Sequence, residues 1–250
     1  KNLNLPDLEV VVELDPDRVL AEVADADIFY GIPTAEVVRA GKKLRWIQSS
    51  SAGVEYTARI PELVESDILL TNTRGAHGPS IGEHTFALLF ALTRKLPEGL
   101  IGQANRQWVR PELYRVCREI YGSTMGIIGF GQIGRAVAQR LAAEGASVVA
   151  ADLDGDGLEA TGAAIDDAGG PAPAVVVGDQ SDPDVVAATV STAVQTFGGL
   201  DGIVANAGIA VTGRLDEIGL DDWDRALRIN LSSAFLLTRA ALRVLKEQGL

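Results

Sequence analysis

Short apolar runs alternate with stretches of helical apolar spacing through the first third of the chain. This alternation predicts a parallel sheet whose strands are joined by helices. The predicted strands are residues 9–12, 27–30, 44–47 and 68–70, and the predicted helices between them are 16–23 and 34–40. The segment 81–96 carries apolar residues around much of its circumference, which predicts a helix buried between layers.

The alternation returns at Thr124, after a more polar bridge that spans residues 99–122. The predicted strands are 124–129, 147–151, 174–177 and 202–205, and the predicted helices are 132–144, 155–170, 182–197 and one that runs from about Leu220 to the end. Four strands in this order form the first half, and a little more, of a doubly wound parallel sheet. The sequence therefore predicts an α/β fold whose second sheet is truncated.

A glycine-rich loop follows the predicted strand 124–129. Its G-x-G-x-x-G pattern allows a tight turn, a close backbone approach to a pyrophosphate, and close packing of helix on strand. An aspartate at the end of the next strand is placed to accept the ribose hydroxyls of a dinucleotide. The predicted cofactor is NAD, and the predicted cofactor residues are Gly129, Phe130, Gly131, Gln132, Ile133, Gly134 and Asp152.

The composition of the chain excludes several classes of function. The formal net charge is −12, whereas nucleic acids and anionic membranes require a basic face, so neither is a predicted partner. The apolar run 85–92 is far shorter than the roughly 20 residues of a membrane span. The single cysteine, Cys117, excludes an internal disulfide and predicts a reducing compartment, the cytoplasm.

Two segments, LRWIQSSSAGV at 44–54 and TNTRGAHGPSIGEH at 71–84, resemble the D-2-hydroxyacid dehydrogenase family. The resemblance runs from near residue 1 to about Gly134. It implies most of a flavodoxin-like substrate domain, followed by the start of an inserted NAD-binding domain. It also implies that the backbone N–H groups of Ala52 and Gly53 bind the carboxylate of a small 2-oxo or 2-hydroxy acid.

From about Ile133 onward the chain resembles the short-chain dehydrogenase/reductase family instead. The resemblance rests on GRA at 134–136, LAAEGASVVAAD at 141–152, GDQSD at 178–182, ANAG at 205–208, DWD at 222–224 and INL at 229–231. It implies that Asp152 binds the adenosine ribose. It further implies adenine contacts for Asp179 and Gln180, support of the central strand by Asn206, Ala207 and Gly208, and a place in the active-site tetrad for Asn230.

Both families have a sequence close to Ile-Gly-Arg-Ala where the first helix of the nucleotide-binding domain begins. A crossover at residues 133–136 would therefore keep the strand, loop and helix continuous. We interpret the chain as a chimera, with a partial substrate domain in residues 1–105 and a hybrid Rossmann domain in residues 106–250. A divergent natural protein is the alternative interpretation.

The two resemblances also imply catalytic residues that this sequence lacks. The D-2-hydroxyacid family takes an arginine, a glutamate and a histidine from later in its NAD domain, but both histidines here, His77 and His84, precede the glycine-rich loop. The short-chain family uses a serine and a Tyr-x-x-x-Lys pair, but all four tyrosines precede the loop and none has lysine four positions later. Ser232 and Ser233 follow Asn230 too closely to be the family serine. Asn230 is therefore the one predicted catalytic residue, in an incomplete set.

No metal site is predicted. The set His77, Glu83 and His84 lacks the spacing of a zinc site. The aspartates at 152, 154 and 156 are not followed by the glycine and glutamate that complete a calcium loop. A turn after the strand explains these aspartates more simply.

Three functions remain open at this point. The chain is an NAD(H)-binding Rossmann-type protein without turnover, an active NAD-dependent oxidoreductase acting on a 2-hydroxy acid or another secondary alcohol or ketone, or a non-functional truncated chimera. The missing acid/base residues favour the first. An open sheet edge at 202–205 would promote association. In short-chain enzymes the long helix near Trp223 often packs against a partner subunit, and two expectations follow: a homo-oligomer formed through this helix, or a helix that simply covers the open sheet.

Overall fold

The computed structural model of the protein describes residues 8–249, which fall into two compact units. The first unit runs to Ala76 and includes the short segment Thr212–Arg214. The second comprises His77–Val211 and the chain from Leu215 onward. Each unit contains one parallel sheet, so the predicted α/β class is confirmed.

The first unit contains a three-stranded parallel sheet in the order β1-β2-β3. Its elements are α1 (Pro16–Val23), β1 (Ile28–Tyr30), α2 (Ala35–Ala40), β2 (Trp46–Gln48), a 3-10 turn (Glu55–Arg59), α3 (Pro61–Val64) and β3 (Leu69–Thr71). Asp15 caps α1 by accepting from the backbone of Asp17 and Arg18, and Thr34 caps α2. Ile47 on the central strand is fully buried in the core of this unit.

The strand predicted at residues 9–12 is not formed. Residues 8–15 lie outside any helix or strand, and Val10, Val11 and Val12 are exposed. A continuous apolar run predicts a strand only where a sheet edge accepts its backbone. In the described part of the chain the sheet ends at β1, so this run has no strand beside it.

The second unit contains a four-stranded parallel sheet in the order β6-β5-β4-β7. The strands are β4 (Thr124–Ile128), β5 (Ser147–Asp152), β6 (Ala174–Val177) and β7 (Gly202–Ala205). Gly126 on β4 is aligned with Val149 on β5 and with Ile203 on β7. This is the first half of a doubly wound sheet, as predicted, and β7 is an edge strand in the described structure.

Helices cover both faces of this sheet. They are α7 (Gln132–Ala143), α8 (Gly155–Asp167), α9 (Pro183–Phe197) and α11 (Ser233–Glu247). Before α11 lie α10 (Leu220–Leu227) and a π-helical turn at Arg228–Ser232, which α10 contacts. Val137 and Leu158 pack with β4 and β5 on one face, whereas Val186 and Leu237 pack on the other. In the described residues, no helix is both long and apolar enough to cross a membrane.

The segment before this sheet forms α4 (Gly78–Thr93), α5 (Leu96–Ala104) and α6 (Arg110–Tyr114). Burial of α4 on all sides was a wrong prediction, because Leu88 and Leu92 are more than half exposed. Its buried residues, Gly78, Gly82 and Phe86, face α7, where Phe86 lies beneath the guanidinium of Arg140. Since α4 packs on α7, the compact units divide at residues 76 and 77 and not at the predicted 105 and 106.

Candidate functional site

The glycine-rich loop joins the end of β4 to the start of α7. Gly129 has a φ of +86°, and a Cβ there would overlap the backbone of Ala207. A Cβ on Gly134 would overlap the carbonyl oxygen of Gly129. Both glycines are therefore required by packing, at the turn and where the helix meets the strand.

Gly131 differs from these two glycines because its surroundings are open. A Cβ there would meet no described atom within 4 Å, and Gly131 precedes α7 without a capping side chain from the described residues. The first turn of a helix carries N–H groups without intrahelical partners, and its dipole favours negative charge. This end of α7 thus has the space and the donors that a pyrophosphate requires.

Asp152 lies at the end of β5, beside the loop. Its carboxylate accepts hydrogen bonds from the backbone N–H groups of Phe130 and Asp154, the latter at 2.9 Å. The glycine-rich loop and the predicted ribose-binding acid are therefore adjacent. A carboxylate at this edge of a parallel sheet can still accept from a ribose hydroxyl, because each oxygen has a second lone pair.

Arg135 and Asp154 brace the loop, a feature that sequence reasoning missed. The Nε of Arg135 donates to the carbonyl oxygen of Phe130 at 2.8 Å, and its Nη2 lies 2.7 Å from the carboxylate of Asp154. Asp154 also caps α8 by accepting from the N–H of Gly157 at 3.0 Å. An aspartate three residues before a glycine was a signal for this cap, but the pairing with Arg135 has no counterpart in sequence spacing.

The predicted segment Asn206, Ala207 and Gly208 lies against the same loop. The side-chain amide of Asn206 donates to the carbonyl oxygen of Gly129 at 2.6 Å, and its backbone N–H donates to Ile128 at 2.9 Å. Ala207 packs beneath Gly129. The end of β7 therefore holds the turn of the glycine-rich loop in place.

Asp179 and Gln180 follow β6 and differ in burial. The carboxylate of Asp179 accepts from the hydroxyl and backbone N–H of Ser181, and these bonds, helped by nearby Arg228, hold its pKa below the usual 3.8. Gln180 is buried, and its amide nitrogen donates to Gly178 while its Oε1 is the buried side-chain atom without a partner among the described residues. Burial and this bond hold the amide of Gln180 within the protein, so its contact with an adenine stays a prediction.

Asn230 lies in the π-helical turn between α10 and α11. Its Oδ1 accepts from the N–H of Ile209 at 2.8 Å, and its Nδ2 donates to the carbonyl oxygen of Ile209 at 2.9 Å. Ser233 also bonds within its own helix, to the carbonyl oxygen of Ile229. The amide of Asn230 therefore holds the segment after β7, and its predicted place in an active site stays a prediction.

The predicted substrate residues Ala52 and Gly53 belong to the first unit. The N–H of Gly53 donates to the hydroxyl of Ser51 at 3.3 Å, and the side chain of Asn72 donates to the carbonyl oxygen of Ala52 at 2.8 Å. The N–H of Gly53, which was expected to bind a carboxylate, is thus partly engaged. The two histidines, His77 and His84, come before the glycine-rich loop in the chain, and His84 is exposed.

Comparison with known proteins adds to this geometry. A family model described as enoyl-(acyl carrier protein) reductase matches residues 126–250, which is half of the chain. The chain belongs to the short-chain dehydrogenase/reductase family. A solved structure of xylitol dehydrogenase with NAD+ bound is 30% identical in sequence to this chain, with a TM-score of 0.50. The match covers 52% of this chain and 51% of that protein.

The chain also matches members of the D-2-hydroxyacid dehydrogenase family. Hydroxypyruvate reductase from Thermotoga maritima is 30% identical over 155 residues, 60% of this chain and 50% of that protein. D-3-phosphoglycerate dehydrogenase from Mycobacterium tuberculosis is 34% identical over 142 residues, 55% of this chain and 26% of that protein. This chain thus spans between about a quarter and a half of the length of these two relatives. Dehydrogenase ancestry on a Rossmann-type fold is established by both sets of matches.

Proposed function

We propose that the protein binds NAD(H) and does not turn it over. The observation that carries this proposal is the contact between the Asp152 carboxylate and the backbone of Phe130, beside an open Gly131. This contact supports a ribose acceptor beside a pyrophosphate site. Both families with which the chain shares sequence are NAD(P)-dependent, which supports the cofactor class.

The residues around the loop fit a dinucleotide. The first turn of α7, at Gln132, Ile133 and Gly134, would hold the pyrophosphate through backbone N–H groups. Asp152 would accept from the adenosine ribose, and Asp179 with the backbone of Gln180 would border the adenine. The bound nicotinamide supplies a hydride, whereas the protein must supply orientation and the proton.

The charges beside the ribose position support NAD over NADP. Two carboxylates, on Asp152 and Asp154, lie there, and a 2′-phosphate would be repelled by them. Arg135 is the nearby cation, but its guanidinium is already bonded to Phe130 and Asp154. These bonds direct Arg135 toward the loop, and the Asp154 carboxylate partly neutralises its charge, which disfavours NADP.

The absence of turnover is proposed from the missing proton donor. Reduction of a carbonyl needs an acid within hydrogen-bonding reach of the carbonyl oxygen. No tyrosine or histidine follows the glycine-rich loop in this sequence, and the amide of Asn230 is occupied by Ile209. Residues 129–230 thus include groups that would bind and orient a dinucleotide, and we propose that no proton donor accompanies them.

We also propose that the chain is a join of two dehydrogenase families at residues 133–136. The hydroxypyruvate reductase match and the short-chain family match together exceed the length of the chain, so they share residues. A join within shared residues would leave the β4 strand, the loop and α7 continuous, as they are here. A divergent natural protein would account for the same matches if one ancestor contained both halves.

Titration of the chain with NADH, followed by nicotinamide fluorescence, tests the binding proposal. Gly131→Asp adds a charge and a side chain where the pyrophosphate would lie, and we expect it to abolish binding. Gly219→Asp is the matched control, because a Cβ at Gly219 also meets no described atom within 4 Å and lies far along the chain from the loop. Equal affinity of the two variants, or no binding by the parent chain, would contradict the proposal.

The α10–α11 segment supports a homo-oligomer. An apolar stripe with exposed side chains runs along it at helical spacing: Leu220, Trp223, Leu227, Leu231, Phe235 and Leu242. Acidic residues lie at its start, Asp221, Asp222 and Asp224, and basic residues at its end, Arg239, Arg243 and Lys246. An antiparallel copy of the same segment would therefore match acid with base as well as apolar with apolar. We propose that two copies pair through this stripe.

Light scattering after size-exclusion chromatography tests this pairing. Leu231→Glu lies in the middle of the stripe and near the two-fold axis, so each dimer would bury two unpaired carboxylates, and we expect a monomer. Leu153→Glu is the control, because Leu153 is also exposed but lies outside the stripe. A dimer that survives Leu231→Glu, or a parent chain that is monomeric, would contradict the proposal.

A further inference from the structure

A concave surface of about 680 Å³ lies between α5 and α6, in a segment that the cofactor site does not use. We call it the α5–α6 cavity. Its volume is in the range of pockets that hold small organic molecules, roughly 300 to 1,000 Å³. It is lined by Gly99, Gln103, Arg106, Gln107, Trp108, Val109, Arg110, Leu113, Tyr114 and Cys117, all from the second unit.

The wall of the cavity is mostly apolar and includes two exposed aromatic rings. The side chains of Trp108 and Tyr114 are 79% and 77% exposed, although an indole and a phenol ring favour contact with apolar surface. Val109 packs on Gly102, where a Cβ would crowd it at 2.7 Å, and this contact holds the start of α6 against the end of α5. The aromatic rings therefore border a shaped cavity and are available to cover a bound molecule.

Two arginines give the cavity a positive charge. Arg106 and Arg110 both line it, and among the described residues no carboxylate lines the cavity and neither arginine forms an ion pair. This is unusual in a chain of net charge −12, where acids outnumber bases. The cavity thus combines apolar walls with two cations that have no ion-pair partner among residues 8–249.

Arg106 is held in a strained backbone conformation. It has a φ of +55°, and it ends α5 in a Schellman motif in which Gln107 N–H donates to Gly102 and Arg106 N–H donates to Gln103. Glycine is favoured at this position because a side chain with φ near +55° is strained. Strained non-glycine residues cluster at binding and catalytic sites. An arginine at this position places a guanidinium at the cavity despite the strain.

We propose that the α5–α6 cavity binds an amphipathic carboxylate, with its anionic head at Arg106 and Arg110 and its apolar body against Trp108 and Tyr114. Guanidinium groups bind carboxylates through paired hydrogen bonds, which accounts for two arginines and no acid. The apolar walls account for a ligand with a hydrocarbon or aromatic body. This site is separate from the glycine-rich loop, and the proposal does not depend on cofactor binding.

Cys117 provides a direct readout of occupancy. It is the one cysteine in the sequence, it lines the cavity, and its side chain is partly exposed. Octanoate serves as the probe and 1-octanol, at the same concentration, as its neutral counterpart. We expect saturating octanoate to slow alkylation of Cys117 by iodoacetamide at least five-fold, and octanol to slow it less than two-fold. Calorimetric titration of octanoate into the full chain measures the same affinity independently.

Removal of the cations tests the assignment of the carboxylate head. We expect the double variant Arg106→Gln with Arg110→Gln to weaken octanoate binding at least ten-fold. Arg59→Gln with Arg115→Gln is the control of equal charge change, because neither residue lines the cavity. Arg106→Gly adds a variant that relieves the strained φ, so weaker binding by this variant cannot be attributed to unfolding.

Three outcomes would overturn the proposal. Equal protection by octanoate and octanol would show an apolar groove without anion recognition. Equal loss of binding in the two double variants would show a general charge effect. Protection of Cys117 that rises with protein concentration and is unchanged by octanoate would show that a second copy of the chain covers the cavity.

Discussion

The glycine-rich loop and the predicted catalytic positions differ in what their polar groups do. At the loop, glycines leave space at Gly131 and the Asp152 carboxylate keeps lone pairs free beside it. At the predicted catalytic residue, the amide of Asn230 is bonded to Ile209, and at the predicted substrate residue Gly53 the N–H is bonded to Ser51. Binding chemistry is thus available in one region, while the polar groups of the other mainly hold the backbone.

This difference follows from how much of the chain supplies the residues for binding and how much supplies those for catalysis. The strand, loop, helix and acid of the dinucleotide site lie within about thirty residues of a single β-α-β unit. Catalysis draws on residues from several distant elements, because acid, anchor and cofactor must converge on one substrate atom. The join that we propose, within one β-α-β unit, would therefore preserve dinucleotide binding more readily than catalysis.

Substitution of Gly134, within the glycine-rich loop, should have the largest effect on stability and on NADH binding. Gly134→Ala places a methyl group on the carbonyl oxygen of Gly129, and we expect it to destabilise the second unit by about 3 kcal/mol and to abolish NADH binding. Urea unfolding monitored by circular dichroism measures the loss. Gly82→Ala in α4 is the control, because its Cβ meets no described atom within 4 Å and alanine favours a helix. Equal stability of both variants would show that the loop packing is not required.

Neutralising Asp152 should have the next largest effect. Asp152→Asn retains an acceptor for the N–H of Phe130 but removes the charge that repels a 2′-phosphate. We expect the preference for NADH over NADPH to fall about ten-fold, which corresponds to about 1.4 kcal/mol. Parallel fluorescence titrations with the two dinucleotides measure it. Asp167→Asn, at the exposed end of α8, should leave the preference unchanged.

Relief of the backbone strain at Arg106 should raise the stability of the second unit, whereas substitution of Gly134 should lower it. Arg106→Gly allows φ of +55° without strain, so we expect it to stabilise the second unit by about 1 kcal/mol. The NADH affinity should stay the same, since the α5–α6 cavity is separate from the loop. Thermal unfolding with and without NADH measures both quantities. Destabilisation would show that the Arg106 side chain makes contacts that outweigh the strain.

The smallest expected effect concerns pH. The lowered pKa of Asp179 means that its contribution to stability is complete well above 3.8 and is lost as the pH falls through the lowered value in the folded state. Ser181→Ala removes the hydroxyl that contributes most to this shift. We expect the pKa of Asp179 to rise toward 3.8, as measured by carboxyl NMR titration. An unchanged pKa would show that the backbone N–H of Ser181 and Arg228 suffice.

Much of the second unit could be predicted from sequence. The run at 174–177 is rich in valine and lies between Pro173 and Gly178, and the run at 202–205 carries Ile203 and Val204; both form strands over those residues. The first unit was less predictable, because a strand at 9–12 depends on a neighbouring strand that hydrophobic pattern does not identify. Burial of the 81–96 helix was wrong for the same reason, since helical periodicity shows which faces are apolar and not which faces have a neighbour.

The positions of the loop glycines could be predicted from the sequence, whereas the contacts of the surrounding side chains were harder to predict. Gly129 and Gly134 each meet a steric requirement of the fold, which spacing along the chain identifies. The pairing of Arg135 with Asp154 and the burial of Gln180 depend on side-chain directions between elements distant in sequence. The engagement of Asn230 by Ile209 has the same origin, so its assignment as a catalytic residue remains a prediction.

The central claim is that the chain binds NADH without transferring its hydride. One measurement tests it directly, namely the absorbance at 340 nm of NADH bound to the chain during incubation with glyoxylate, hydroxypyruvate and simple ketones. We predict saturable binding and no decrease in absorbance above the rate without protein. A robust decrease that Gly131→Asp abolishes and Gly219→Asp preserves would contradict the claim, and would show that the chain supplies a proton donor.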